Sequence, residues 1–201
     1  MSQPRIADGD PLIGEMIVVI DESSPSNTGG GIAYVVTAAA MLSRSMVEAG
    51  LSELFQPGRI RPFHWAREGP QARHRMLDII IDSGVVAVAE YAHVARKGQQ
   101  SARRSMLGPV TGWAGAQGAT HVIIEASDAA TMGRDRNTIL DHHRGAGGAS
   151  FAYDWRSKHE QLLWVADAIA GAVGEHITDQ NSEWFARLDG ASAIELISRA
   201  L

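Results

Sequence analysis

Ile17-Val18-Val19-Ile20-Asp21-Glu22-Ser23 decides how this chain is read. Four β-branched residues in a row favour an extended backbone, and the two carboxylates that follow end the apolar run. The stretch predicts a first strand over residues 16–21 that carries an acid to its tip, within reach of solvent or a cation. Ser23 to Gly31, with Ser, Pro, Asn, Thr and three Gly, reads as the turn that closes it. Small residues from Gly31 to Met41 predict a second strand, folded back on the first as a hairpin.

Two more acidic stations lie far downstream, in Ile123-Ile124-Glu125-Ala126-Ser127-Asp128 and in Trp164-Val165-Ala166-Asp167-Ala168-Ile169-Ala170-Gly171. Glu125 ends an apolar run, where a carboxylate is costly unless it is paired or bound to a cation. Asp128 reads either as an assisting acid or as the cap of a helix entered through Ser127-Asp128-Ala129. Asp167 stands within an apolar helical pattern, a poor place for Asp unless something binds it. Asp21 taken alone is equally a turn residue. Taken together, three carboxylates cannot all stay ionised without a cation between them, the logic of a divalent-metal site acting on phosphodiesters. The strand-end Asp21-Glu22 also matches the second motif of P-loop ATPases, but no Gly-Lys-Ser or Gly-Lys-Thr accompanies it. Lys97 and Lys158, the only lysines, stand in other contexts.

With 201 residues, 45% of them hydrophobic, the chain suits one domain, read as 16–201 behind an N-terminal extension over 1–15. No apolar run approaches a membrane span, and Met1 to Pro11 lacks the hydrophobic stretch of a secretory signal. There are no cysteines, which removes disulfides and thiolate chemistry. These features predict a cytoplasmic protein that does not associate with membrane. A net charge of −5 argues against indiscriminate coating of nucleic acid. Of 18 basic residues 16 are Arg, grouped at Arg59, Arg61, Arg67, Arg73 and Arg75 and again at Arg96, Arg103 and Arg104. Guanidinium suits phosphate, although genomic bias in an Ala- and Gly-rich chain gives the same count.

Periodicity predicts helices over 43–55, 68–83, 97–117 (interrupted at Gly108-Pro109), 134–143 and 159–176. Breaks fall at Pro57-Gly58 and at a Gly145-Ala146-Gly147-Gly148 loop. Strands are predicted over 85–93 and 121–126, with an edge strand at 150–154. A last amphipathic segment, 191–201, presents apolar residues that make a homodimer a candidate. The order implies an α/β fold with a mixed sheet. His142, His143 and His159 match no zinc spacing and read as solvent-facing. Trp65, Trp113 and Trp155 read as core or as base-stacking platforms.

Ile20-Asp21-Glu22-Ser23, Phe63-His64 before a helix, and Val165-Ala166-Asp167-Ala168-Ile169-Ala170-Gly171 resemble, in order and spacing, the bacterial and phage family called domain of unknown function 3800. The resemblance spans residues 16–176. It implies a ribonuclease H-like mixed central sheet flanked by helices, and a two-metal nuclease using Mg²⁺ or Mn²⁺. By that analogy Asp21 bridges the metals, Glu125 and Asp167 each bind one, and Asp128 assists. His64 then orients water or serves as general acid, against the alternative of a His packed between aromatics. Glu22 and Ser23 of the same motif are candidate substrate contacts, as are Arg73, Arg103 and Arg104 for phosphates. Two departures stand out: Ser24 where the family carries Gly, and Trp164 where it carries Gln, which removes a polar group beside the site. A ribonuclease H-like binding module without catalysis, and a hydrolase of a small phosphorylated molecule, remain alternatives. DNA is not distinguished from RNA.

Overall fold

The computed structural model describes residues 15–26, 31–55, 61–145 and 150–200. Outside them fall most of the predicted N-terminal extension, the middle of the first turn, the Pro57-Gly58 break with Arg59, and most of the glycine loop at 145–148. Strand β1 (Ile17–Ser23) pairs antiparallel with β2 (Ile32–Met41), and β2 pairs antiparallel with β3 (Val86–Val94). On its other side β1 takes β4 (His121–Glu125) in parallel, and β4 takes β5 (Ala152–Arg156) in parallel. A sixth strand, β6 (Ile194–Ser198), runs parallel to β3, giving the order β5-β4-β1-β2-β3-β6. With helices on both faces, this is an α/β fold with the mixed central sheet flanked by helices that the resemblance implies.

The two faces follow from the period of two along each strand. Ile17 and Val19 face one apolar cluster, and Val18 and Ile20 the other. The first cluster is covered by α1 (Arg44–Leu54), α2 (Pro70–Asp82), α5 (Leu163–Ile177) and α6 (Glu183–Gly190). The second is covered by α3 (Gln99–Ala116) and α4 (Ala129–Arg144). Helix α5 is buried on every side from Leu163 to Gly174, as expected of a helix that is apolar all round except at Asp167. Among the described residues no helix is long and apolar enough to cross a membrane.

Several elements depart from the sequence reading. Pro109 does not interrupt α3, which continues through it with Met106, Leu107, Val110 and Ala114 buried against the sheet. Tertiary burial outweighs the cost of one missing N–H. Gly108 and Gly112 leave the space in which the His142 ring sits, since a Cβ at either would lie within 2.9 Å of it. His143, read as solvent-facing, is buried with its Nε2 3.2 Å from Thr111 Oγ1. The C-terminal segment is a strand, and its Ile194, Leu196 and Ile197 pack against the two cores. That removes the exposed apolar stripe on which a dimer was argued. Helix α6, absent from the sequence reading, buries Trp184 and Leu188 one turn apart.

The far edge of the sheet is tied by Glu90, 2% exposed, to Arg199 through bonds of 2.8 and 2.5 Å. Replacing Arg199 by Ala leaves that carboxylate buried and unpaired, and an expected loss of about 2–3 kcal/mol in urea unfolding follows. A loss near zero would show that water screens the pair as it does an exposed one.

Candidate active site

Asp21 does not sit at a strand tip. β1 continues beside β2 through Asp21↔Thr37 to Ser23↔Val35, while its pairing with β4 stops at Ile20↔Ile124. The acid therefore lies where one neighbouring strand has ended and the other has not, and it is 2% exposed. Glu125 is the last residue of β4, and Asp167 lies in the second turn of α5. Parity puts Asp21 on the face of Ile17 and Val19, and Glu125 on the face of Ile123, toward the cluster that contains α5. The three sequence-predicted carboxylates thus meet between the sheet and α5.

What they surround is Lys158. Its Nζ lies 3.1 Å from Asp167 Oδ1, 3.4 Å from Glu125 Oε1 and 3.8 Å from Asp21 Oδ2. The sequence alone offers Lys158 only as a candidate phosphate-binding lysine of an ATPase loop, a context it does not fit. Its position between β5 and α5, one of only two lysines in an Arg-dominated chain, was the available signal. Trp164 holds the loop in place: its Nε1 donates to the Lys158 carbonyl at 2.7 Å. The Trp is buried at the start of α5 and packs edge-on against Phe55 at 4.8 Å.

Asp167 is caged. Oδ1 is 2.9 Å from His64 Nδ1, and Oδ2 accepts the Trp65 backbone N–H at 2.6 Å. Burial opposes its ionisation, but the His64 hydrogen bond, the Lys158 ammonium and the Trp65 N–H together hold its pKa below the usual carboxylate value. Asp21 goes the other way. Burial and the neighbouring Glu125 carboxylate push its pKa well above the usual value, and Lys158 only partly offsets them. Asp21 Oδ1 accepts the Glu22 N–H at 2.7 Å, while the buried Oδ2 has no hydrogen-bond partner. The glycine of the late motif has a steric cause, since a Cβ on Gly171 would stand 2.2 Å from Trp65 Cγ. Beside the acids opens a cleft of about 330 Å³, lined by Ser23, Ser24, His64, Asp167, Glu175 and Gln180 among others.

The remaining predicted site residues divide. Ser23 lines the cleft, and so does Glu22, although its carboxylate is turned to the opposite face, where Arg103 and Tyr34 donate to it. Burial, with Asp135 and Asp21 nearby, raises the Tyr34 pKa and keeps that phenol a donor. Arg103 is no free phosphate contact: it also makes bonds of 2.9–3.2 Å to the buried Asp135. Arg73 is likewise engaged, donating to the Trp65 carbonyl at 3.1 Å and to Glu175 at 2.8 Å, with its guanidinium over the Trp65 ring. Arg104 is exposed and lines a groove of about 480 Å³ between α3 and α4, together with Arg134 and His142. Asp128 is a helix cap, accepting from the Thr131 N–H at 2.9 Å and from its hydroxyl at 2.7 Å, which lowers its pKa. Trp65 is buried, and Trp113 and Trp155 pack partly buried on the second core, so the indoles serve packing.

Among the described residues no three carboxylate or imidazole side chains form a ready-made metal cage. The donor set nonetheless suits a hard divalent cation: it is all carboxylate oxygen, and one buried oxygen, Asp21 Oδ2, lacks a donor.

No family model matches the chain, and no curated protein matches it. Among solved structures, the one of the PCNA:RNase HII complex from Archaeoglobus fulgidus aligns with a TM-score of 0.49 at 12% identity, over 85% of this chain and 77% of that one. The fold described above rests on strand order and direction and not on that likeness.

Two outcomes follow from the site's packing and charge. A carboxyl whose pKa is raised on folding stabilises the fold at low pH, and that contribution is lost as pH rises through the folded-state value. In chelator, Asp21→Asn is therefore expected to melt above the native chain at pH 7–8, with the difference shrinking as pH falls toward the ordinary value of 3.8. A variant that melts lower at neutral pH would contradict the assignment. Gly171→Ala drives a methyl into Trp65 and is expected to cost about 1–3 kcal/mol by urea midpoint. Gly133→Ala in α4, where nothing lies within 4 Å of the new methyl, serves as a control that loses nothing.

Proposed function

We infer that this chain is a divalent-metal-dependent nuclease, with Asp21, Glu125 and Asp167 as the residues that hold the cation. One observation carries the reading: carboxylates from β1, β4 and α5 converge around the Lys158 ammonium, 3.1–3.8 Å from an oxygen of each and beside an open cleft, and leave the buried Asp21 Oδ2 without a donor. The resemblance of the Asp-Glu-Ser, Phe-His and late Ala-Asp motifs to domain of unknown function 3800 supports it. A bound Mg²⁺ or Mn²⁺ supplies Lewis acidity and an activated water for phosphodiester hydrolysis.

The chain's own residues do the rest. Burial of Asp21 and Asp167 fixes the ligand atoms before substrate arrives, so little reorganisation remains. His64 bonds Asp167 with one nitrogen, and 38% of its side chain is open to the cleft, where it can pass a proton to or from the reacting oxygens. Of the three arginines expected to contact phosphates, Arg73, Arg103 and Arg104, Arg104 alone is exposed and remains a candidate for phosphates away from the cut, on the sheet face opposite the acids. A second reading, a binding module without catalysis, is favoured by Lys158 itself, because an ammonium neutralises the acids with no metal present.

Labelled single- and double-stranded DNA, RNA and an RNA–DNA hybrid, each incubated with Mg²⁺ or Mn²⁺, separate the two. Metal-dependent cutting is expected on at least one strand type, with at least a 100-fold loss (about 2.7 kcal/mol of barrier) in Asp167→Asn. Cutting that persists in that variant removes Asp167 from the site. No cutting on any strand favours the binding module.

A further inference from the structure

Lys158 stands among the three acids, and the nuclease reading does not use it. Its stem is partly buried and 29% of its side chain is exposed, and it touches all three acids. It is not a surface lysine that happened to fold inward. The backbone that carries it is bonded to the buried Trp164 indole, and Glu160 N–H donates to the Ser157 carbonyl at 2.9 Å across the same loop. A four-carbon stem with a compact ammonium puts a point charge among carboxylates, which the planar fork of Arg does less well.

Charge counting then limits what else the site accepts. A bound cation requires ionised ligands, so in the loaded site the three carboxylates carry −3 and Lys158 returns +1, which leaves −2. One divalent cation neutralises that remainder, and two would leave the buried cluster at +2. A net charge of that size in a low-dielectric pocket is costly. The geometry agrees: Lys158 hydrogen-bonds Asp167 Oδ1 but stands farthest from Asp21, whose Oδ2 keeps a free lone pair.

We propose that Lys158 permanently holds one of the two cation positions of the acid cluster, so that each chain takes one divalent cation and not two. This rests on the metal-dependent reading of the same three acids. Lys158 is then a built-in cation, available to the scissile phosphate or its leaving oxygen, and the site differs in kind from the two-metal centre that the family resemblance implies.

Counting bound Mn²⁺ by electron paramagnetic resonance and calorimetry tests this without relying on activity. The native chain is expected to bind one Mn²⁺, Lys158→Met two, and Lys158→Arg one, with circular dichroism showing each variant folded. Two ions on the native chain would overturn the proposal whether or not the variants fold. One ion on a folded Lys158→Met chain would overturn it too, and both results leave a metal-dependent nuclease standing. Binding of no Mn²⁺ by either the native chain or Lys158→Met would overturn the proposal and the metal-dependent reading together.

Discussion

Three carboxylates packed between a sheet and a buried helix must be neutralised, and the site is built around that requirement. Like charges about 4 Å apart in a poorly solvated pocket repel by about 4 kcal/mol even at an effective dielectric near 20, and more weakly with distance. The protein answers in three ways at once. Burial and the Glu125 charge favour a proton on Asp21, an ammonium stands among the three acids, and Asp167 is surrounded by donors. Each answer draws on a different part of the chain, so the charge problem ties β1, β4, the β5–α5 loop and the segment before α2 into one unit.

The alternation of a β-strand turns two adjacent residues into parts of two different machines. Asp21 faces α5 and the acid cluster, while the carboxylate of Glu22 faces α3 and closes a network with Arg103, Tyr34 and Asp135. That network clamps α3 and α4 to the sheet directly behind the site. An arginine that looks like a phosphate ligand in a list of basic residues is thereby a fastening, and its exposed neighbour Arg104 is the one that faces solvent.

Much of this was legible in the sequence. β-Branched runs announced β1 and β4, the small-residue run announced β2, and an Asp embedded in an apolar helix marked Asp167 as needing a partner. What stayed hidden depended on contacts across the chain. Pro109 passes unnoticed through α3 because burial overrides its local cost. β6 reads in the sequence only as an amphipathic tail, since five residues next to a turn show too little periodicity to separate strand from helix. Lys158 was invisible for a different reason: a lone lysine gains meaning only when the fold brings acids from 137 and 33 residues upstream (158 − 21 and 158 − 125) to its ammonium.

Phe55 shows what such an arrangement does to the history of a protein. Its ring lies 5.8 Å from Phe63, the residue before His64, and 4.8 Å from Trp164, which grips the loop of Lys158. One hydrocarbon side chain therefore stands behind both the imidazole and the ammonium. Drift among the aromatics here is not chemically silent. A lineage that resizes this trio moves charged groups without altering any of them, so new reactivity at the cleft can arise through oily residues that never touch a substrate.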